Sequence, residues 1–152
     1  MPDNKIITDR EKMLKAVKKD GSALQYADDT LKADRELVLE AVRNNGFSIK
    51  YADDSLRTNR ELVLEAVRSR GGALAYVDDS LKADREVALE AVKKDGLALQ
   101  FADDSLKADR EFVLEAVRYD SWALDYASEE LQNDPELKKL ASTAGLYGYY
   151  DE

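Results

Sequence analysis

The amino-acid sequence repeats itself every 25 residues, and this period constrains the fold more than any other feature of the chain. Five copies follow one another without insertion, over residues 9–33, 34–58, 59–83, 84–108 and 109–133. A fixed period of about 20 to 50 residues is typical of solenoids. Each unit is too small to bury its apolar face alone and has to stack on its neighbours. We therefore expect a linear array of stacked units.

The first half of each unit has the pattern of an amphipathic α-helix. In the second copy, Asp34 is suited to the N-cap position, because its carboxylate can accept the free N–H groups of the first turn. Apolar residues between Leu37 and Val42 cover a wide arc, which indicates packing neighbours on two sides. Gly46 is predicted to end the helix in a left-handed conformation. Ser121 replaces this glycine in the fifth copy and is expected to distort the turn.

The second half of the unit predicts a shorter helix and a capped turn. Residues from Phe47 to Ala52 are apolar at helical spacing, and Asp53 interrupts them because its side chain competes for backbone groups. Leu56 is expected on one further helical or 3₁₀ turn. No sustained alternation of apolar and polar residues indicates a strand. The predicted fold class is an all-α solenoid of five 25-residue repeats, each with a long helix, a short helix and a capped turn, plus a C-terminal capping helix.

The sequence changes character at both ends of the array. We interpret residues 1–8 as an N-terminal cap segment, residues 134–143 as a capping helix and residues 144–152 as a tail. Lys12 and Lys138 stand in columns that are apolar in other copies. Polar outer faces on terminal repeats are what a finite solenoid requires for solubility. We therefore expect a complete array that is a monomer or self-associates weakly.

Charge and composition exclude several classes of function. The net charge of −9 disfavours nucleic acid and anionic membranes as partners. No apolar run approaches the ~20 residues that span a bilayer, and no secretory signal is seen, so we expect a cytoplasmic or intracellular location. The sequence contains no histidine and no cysteine, which removes the commonest general base and metal ligand as well as thiol chemistry. We expect a protein that is not an enzyme and holds no cofactor.

Paired aspartates recur at the capped turn of four copies. Stacking would place them in a row that could bind Ca²⁺, although Ca²⁺ takes six to eight oxygen ligands, so neighbouring repeats would have to cooperate. We favour the alternative that one Asp of each pair caps the following turn while the other faces solvent. The residues are Asp28, Asp29, Asp53, Asp54, Asp78, Asp79, Asp103 and Asp104.

An arginine column and an aromatic column also recur. The arginines could form a row of binding sites for phosphate or carboxylate groups. We favour the alternative that each arginine pairs with a carboxylate of the neighbouring repeat, and the Asp pairs are candidates for this role. The aromatic residues could stack nucleic-acid bases, but in an acidic chain we favour packing in the core. The two columns are Arg10, Arg35, Arg60, Arg85 and Arg110, and Tyr26, Tyr51, Tyr76, Phe101 and Tyr126.

The columns that vary most between copies surround the glycine turn and the start of the short helix, a surface that we call the turn edge. A solenoid often presents one edge of its turns as a binding surface, and large apolar or arginine side chains are typical of interface hot spots. Relaxed constraint at an exposed loop is an equal alternative. The candidate partner-binding residues are Phe47, Arg70, Leu97, Tyr119 and Trp122.

The repeat resembles that of the family described as domain of unknown function 4116. The resemblance covers about residues 8 to 141 and is clearest over residues 85–102. The turn Ser128-Glu129-Glu130-Leu131 matches the family's usual turn, whereas the other four copies have Asp-Asp-Ser/Thr-Leu. The resemblance implies an α-helical repeat and implies no activity. The near-identity of the copies also fits a consensus-designed array.

Taken together, these patterns favour a non-catalytic helical-repeat scaffold that binds another protein, whose identity the sequence does not indicate, through the turn edge. The alternative hypothesis is a Ca²⁺-responsive acidic array that uses the Asp pairs.

Overall fold

The computed structural model describes residues 5–147 and consists of helices that follow the 25-residue period. Each repeat begins with a ten-residue α-helix. These are α1 (Arg10–Lys19), α3 (Arg35–Asn44), α5 (Arg60–Ser69), α7 (Arg85–Lys94) and α9 (Arg110–Tyr119). The prediction of an all-α array is confirmed.

A 3₁₀-helix and a four-residue α-helix complete each repeat. The 3₁₀-helices are η1 (Gly21–Tyr26), η2 (Gly46–Tyr51), η3 (Gly71–Tyr76), η4 (Gly96–Phe101) and η5 (Ser121–Tyr126). The short α-helices are α2 (Asp29–Lys32), α4 (Asp54–Arg57), α6 (Asp79–Lys82), α8 (Asp104–Lys107) and α10 (Glu129–Gln132). A longer helix, α11 (Pro135–Tyr147), follows the fifth repeat.

The long helices begin where the sequence predicts, because their N-cap side chains satisfy the first turn. Asp34 accepts a hydrogen bond from the backbone N–H of Leu37 at 3.1 Å. Asn59 does the same for Leu62 at 3.0 Å. An N-cap of this kind stabilises a helix by about 1 kcal/mol.

The core lies between two layers, one of long helices and one of 3₁₀-helices, each packed on its counterpart in the next repeat. In α3, Leu37, Val38, Ala41 and Val42 are all buried. Ile49 of η2 meets the same core from the other layer. The wide apolar arc of the long helix is explained by this arrangement, since each helix contacts two neighbouring repeats as well as the 3₁₀ layer.

Backbone hydrogen bonds tie the short helices of consecutive repeats together. The N–H of Asp53 donates to the carbonyl of Lys32 at 2.9 Å, and the pattern recurs through the array. Ile7 takes the place of Lys32 at the N-terminal end, where its carbonyl accepts from Asp28 at 3.0 Å. Its own N–H donates to the carbonyl of Tyr26 at 2.7 Å. The N-terminal segment therefore occupies the position that the end of an earlier repeat would have.

The prediction that Gly46 is left-handed is wrong. Helix α3 ends instead at Asn44. Asn45, its C-cap, is extended (φ −149°, ψ 109°), and Gly46 opens η2 without a positive φ. A Cβ atom on Gly46 would lie 2.2 Å from the carbonyl oxygen of Ala66 in the next repeat. The glycine is required because two backbones touch there. Gly21 and Gly71 make the same approach to the next repeat.

The expected distortion at Ser121 is also absent. Asp120 before it has φ −152° and ψ 113°, close to the values of Asn45. A side chain is compatible with this backbone, so only the close approach of the following repeat excludes it elsewhere. Ser121 is half-buried where the corresponding glycines are buried, which leaves room for its Cβ atom.

The C-terminal helix is longer than the sequence suggests. We expected it to end near residue 143, yet α11 continues to Tyr147, so part of the interpreted tail is helical. Leu137 anchors α11 in the core. The remaining tail, with Tyr149 and Tyr150, lies outside the described residues.

Substitution of Gly46 by alanine tests the backbone contact between repeats. We expect Gly46→Ala to lower the free energy of unfolding by about 3 kcal/mol, because the new methyl group meets a fixed carbonyl oxygen. Gly72→Ala is the matched control, since a Cβ atom there meets only the movable ring of Phe47, at 3.1 Å. Urea unfolding followed by circular dichroism measures both. Equal stability of the two variants would contradict the steric requirement.

Candidate functional site

The five residues predicted to bind a partner all lie exposed on the turn edge. The exposed fractions are 38% for Phe47, 41% for Leu97, 40% for Tyr119 and 65% for Trp122, and Arg70 is exposed as well. Phe47, Leu97 and Trp122 occupy the same position in η2, η4 and η5. Because the 3₁₀-helices stack in order, these side chains follow one another along one side of the array.

In the second and third repeats, the turn edge combines aromatic rings with cations. The rings of Phe47 and Tyr76 meet edge to face, with centroids 6.4 Å apart. The guanidinium of Arg70 lies 5.9 Å from the centroid of Phe47, and the ammonium of Lys50 lies 5.7 Å from that of Tyr76. We call this group the basic half. A cleft of about 250 Å³ lies beside it, lined in part by Phe47, Lys50 and Tyr76.

Sequence reasoning missed Tyr76 as a member of this surface. It placed Lys50 in a variable column of the turn edge but not among the candidate partner-binding residues. Tyr76 belongs to the column that we assigned to the core, and four of that column's five members are indeed half-buried against it, but Tyr76 is 38% exposed. The sequence did contain one signal, which is Gly72. Because Gly72 has no side chain, the ring of Phe47 can occupy the space beside it.

In the fourth and fifth repeats, the turn edge combines apolar side chains with carboxylates. Asp95 caps η4 through the N–H of Leu97 at 3.0 Å, and Asp120 caps η5 through the N–H of Trp122 at 3.0 Å. Asp125 is exposed on η5. We call these five residues the acidic half. Leu97 and Trp122 are its large exposed apolar groups.

Some of the variable columns have a structural role that the sequence did not reveal. The side-chain oxygen of Asn44 accepts from the N–H of Gly21 in the preceding repeat at 2.7 Å, and its amide nitrogen donates to the carbonyl of Lys18 at 3.1 Å. Ser69 accepts in the same way from Gly46 at 2.9 Å. Variation at these positions therefore reflects alternative ways of satisfying one buried backbone group, and not partner choice alone.

The Asp pairs divide into a capping residue and an exposed one, as the favoured interpretation expected. Asp53 accepts from the backbone N–H of Ser55 at 3.0 Å and from its hydroxyl at 2.6 Å. The hydroxyl bond is the main reason that the pKa of Asp53 is held below its ordinary value. Asp54 has a side chain 97% exposed, 3.6 Å from Arg57.

The Ca²⁺ hypothesis gains no support from this geometry and stays untested. Within residues 5–147, no three acidic, histidine or cysteine side chains come together in a way that could hold a metal ion.

The arginine column pairs with the next repeat, but its partners are not the Asp pairs that we considered. Arg10 donates from Nε to the N-cap carboxylate of Asp34 at 2.7 Å and from its terminal nitrogen to Glu36 at 3.1 Å. Arg60 contacts Asp84 and Glu86 in the same way. The hydrogen bonds from Arg10 and Arg60 are the largest cause of the lowered pKa of Asp34 and of Asp84, respectively. Each arginine thus links two long helices.

Two of the five arginines of this ladder pair with a single carboxylate. Among the described residues, Arg85 pairs only with Asp109, at 3.1 Å. The third repeat has Asn59 at the N-cap, so Arg35 pairs only with Glu61, at 2.6 Å. These groups are substantially exposed, and each pair therefore contributes modestly to stability.

The geometry defines the molecule as a helical-repeat solenoid in which each unit interlocks with the next. The family model for Domain of unknown function (DUF4116) matches residues 9–57, 59–107 and 109–141. The chain belongs to this family, and two 25-residue repeats make up each of the first two matched domains. Comparisons with the curated proteins and with the solved structures give no significant match. Among the described residues, no helix is long and apolar enough to cross a membrane.

Replacing Lys94 by asparagine tests the bridge that Asn44 forms. Lys94 stands in the same column but cannot accept a hydrogen bond, so the N–H of Gly71 lacks the partner that Gly21 has. We expect Lys94→Asn to raise the free energy of unfolding by about 1 kcal/mol. Lys19→Asn is the control, because the first repeat has no earlier glycine to contact. A gain of equal size in the control would refute the explanation.

Completing the arginine ladder should stabilise the protein in a pH-dependent way. Asn59→Asp supplies Arg35 with a second carboxylate, and we expect a gain of about 0.5 kcal/mol near neutral pH. Pairing lowers the folded pKa, so the gain is full above the unfolded pKa of about 4 and is lost as pH falls through the folded value. Thermal unfolding at about pH 6 and pH 3 measures this. Asp84→Asn, which breaks the ladder at Arg60, should show the opposite sign.

Proposed function

We propose that the protein is a non-catalytic scaffold that binds another protein through the turn edge. The observation that carries the proposal is the exposure of Trp122, Leu97 and Phe47 along one side of an array whose other large apolar side chains are mostly buried. Aromatic and arginine side chains on a rigid surface are the usual anchors of protein interfaces. The 3₁₀-helices hold their backbones in place, so little ordering entropy is lost on binding.

Charge supports a protein partner over the alternatives. The chain carries −9 overall, and phosphate backbones or anionic lipid surfaces would be repelled. The turn edge itself displays both signs of charge, which suits a protein surface of mixed charge. The absence of histidine and cysteine from the sequence, and the engagement of Asp53 and its equivalents in capping, support a role without catalysis.

A cross-linking experiment tests this proposal. A photo-reactive amino acid in place of Leu97 should form adducts with the partner in extracts of cells that make the protein. The same amino acid in place of Glu111, exposed on α9, is the matched control.

The partner identified in this way is then purified and its affinity measured by calorimetry. We expect Trp122→Ala to weaken binding at least about 30-fold, as at interface hot spots. Ile6→Ala removes a side chain that is 57% exposed away from the turn edge and should bind like the parent. If the Trp122 variant has a native circular dichroism spectrum and an unchanged affinity for the partner, the proposal is wrong.

A further inference from the structure

The turn edge reverses its charge halfway along the array. Two columns show this most clearly. The column of Gln25 has two charged residues, Lys50 in the second repeat and Asp125 in the fifth. In the column of Asp20, the third repeat has Arg70 and the fourth has Asp95. Each positive charge of the basic half therefore has a negative counterpart in the acidic half, at the same distance from the boundary between the third and fourth repeats.

Within residues 5–147, these charged groups form no ion pair, although Asp95 caps η4. The ion pairs of residues 5–147 lie between consecutive long helices or within single helices. None of them includes Lys50, Arg70, Asp95 or Asp125. Lys50 and Arg70 lie instead over aromatic rings, close to exposed apolar surface. The long-helix face contrasts with this, because its arginines are already engaged by the next repeat.

We propose that the turn edge binds a second copy of this chain in an antiparallel, two-fold symmetric dimer, an inference that rests on the proposed function of this edge. A two-fold axis across the edge reverses the order of the repeats and makes each column face itself. The second repeat then faces the fifth of the other copy, and the third faces the fourth. Arg70 meets Asp95 of the second copy, and Lys50 meets Asp125.

The apolar residues fit the same register. Phe47 faces Trp122 of the second copy, which brings the two large exposed rings of that column together. Leu97 of the second copy faces Gly72, where the missing side chain leaves space beside the ring of Phe47. Because the interface is symmetric, every one of these contacts occurs twice.

Other registers place like charges opposite each other. A parallel pair would set Arg70 against Arg70 and Asp95 against Asp95. Shifting the antiparallel pair by one repeat places either the third repeats or the fourth repeats on the axis, with the same repulsions. Like charges in contact are costly at an interface, so the pattern selects a single register.

Sedimentation velocity of the purified full chain tests the dimer, over about 1 to 500 μM protein. We expect concentration-dependent dimers that weaken at high salt, since screening reduces the attraction between exposed charges. A parent chain that stays monomeric throughout this range would overturn the inference.

A charge exchange then tests the register. The acidic variant is Lys50→Asp with Arg70→Asp, and the basic variant is Asp95→Arg with Asp125→Lys. Each change introduces a residue type already present in that column, and Arg70 itself precedes η3 without capping it, so folding should tolerate them. Alone, each variant should dimerise at least about 10-fold more weakly. Mixed in equal amounts, they should recover the association of the parent, because all four contacts again join opposite charges.

A control with Lys12→Asp and Lys15→Asp alters the net charge as much as the acidic variant does, but on α1, outside the overlap. It should associate like the parent. A mixture no better than either variant alone, or a control as weak as the acidic variant, would refute the proposed interface. If only the dimer fails while Leu97 cross-links to another protein, the proposed scaffold function stands. If purified chains form the dimer but no other protein is captured, this inference stands and the scaffold function falls.

Discussion

The contact on which the array depends is the close approach of one backbone to another between repeats. Gly46 lies so near the carbonyl of Ala66 that no side chain fits between them. This distance determines how closely consecutive helices pack, and several other interactions require it. Asn44 reaches the backbone of the preceding repeat only because the helices lie this close, and Arg10 reaches Asp34 for the same reason. A repeat unit with a larger residue here would have to lose these links together.

This dependence explains which features the sequence could predict. Period, helix starts and the apolar face follow from local chemistry, and Asp34 as an N-cap needs no knowledge of neighbours. The role of Gly46 does need it, because a glycine required by close approach looks the same in sequence as one required by a positive φ. The partners of Arg10 could not be chosen either, since the geometry of stacking decides which carboxylate column comes within reach.

The candidate site shows the same limit in another form. Sequence variation identified Phe47, Leu97 and Trp122 as exposed, because an apolar residue that changes freely between copies is not held by a conserved core position. It could not separate them from Asn44, which also varies but satisfies a buried backbone group. The column of Tyr76 predicts a core position, but its exposure depends on the neighbouring side chains, which the column does not reveal.

Repetition also explains why the turn edge, and not another surface, is suited to recognition. On the face of the long helices, the arginine column that pairs with the next repeat keeps the same residue type, and the resulting surface has nearly the same charge and shape along its length. Such a surface offers no preferred register to a partner. A column whose side chains make no stacking contact can carry different charges in different repeats, and Lys50 and Asp125 belong to such a column. A pattern of charge that specifies direction can therefore arise on this edge, while the face of the long helices keeps its arginines and carboxylates occupied with each other.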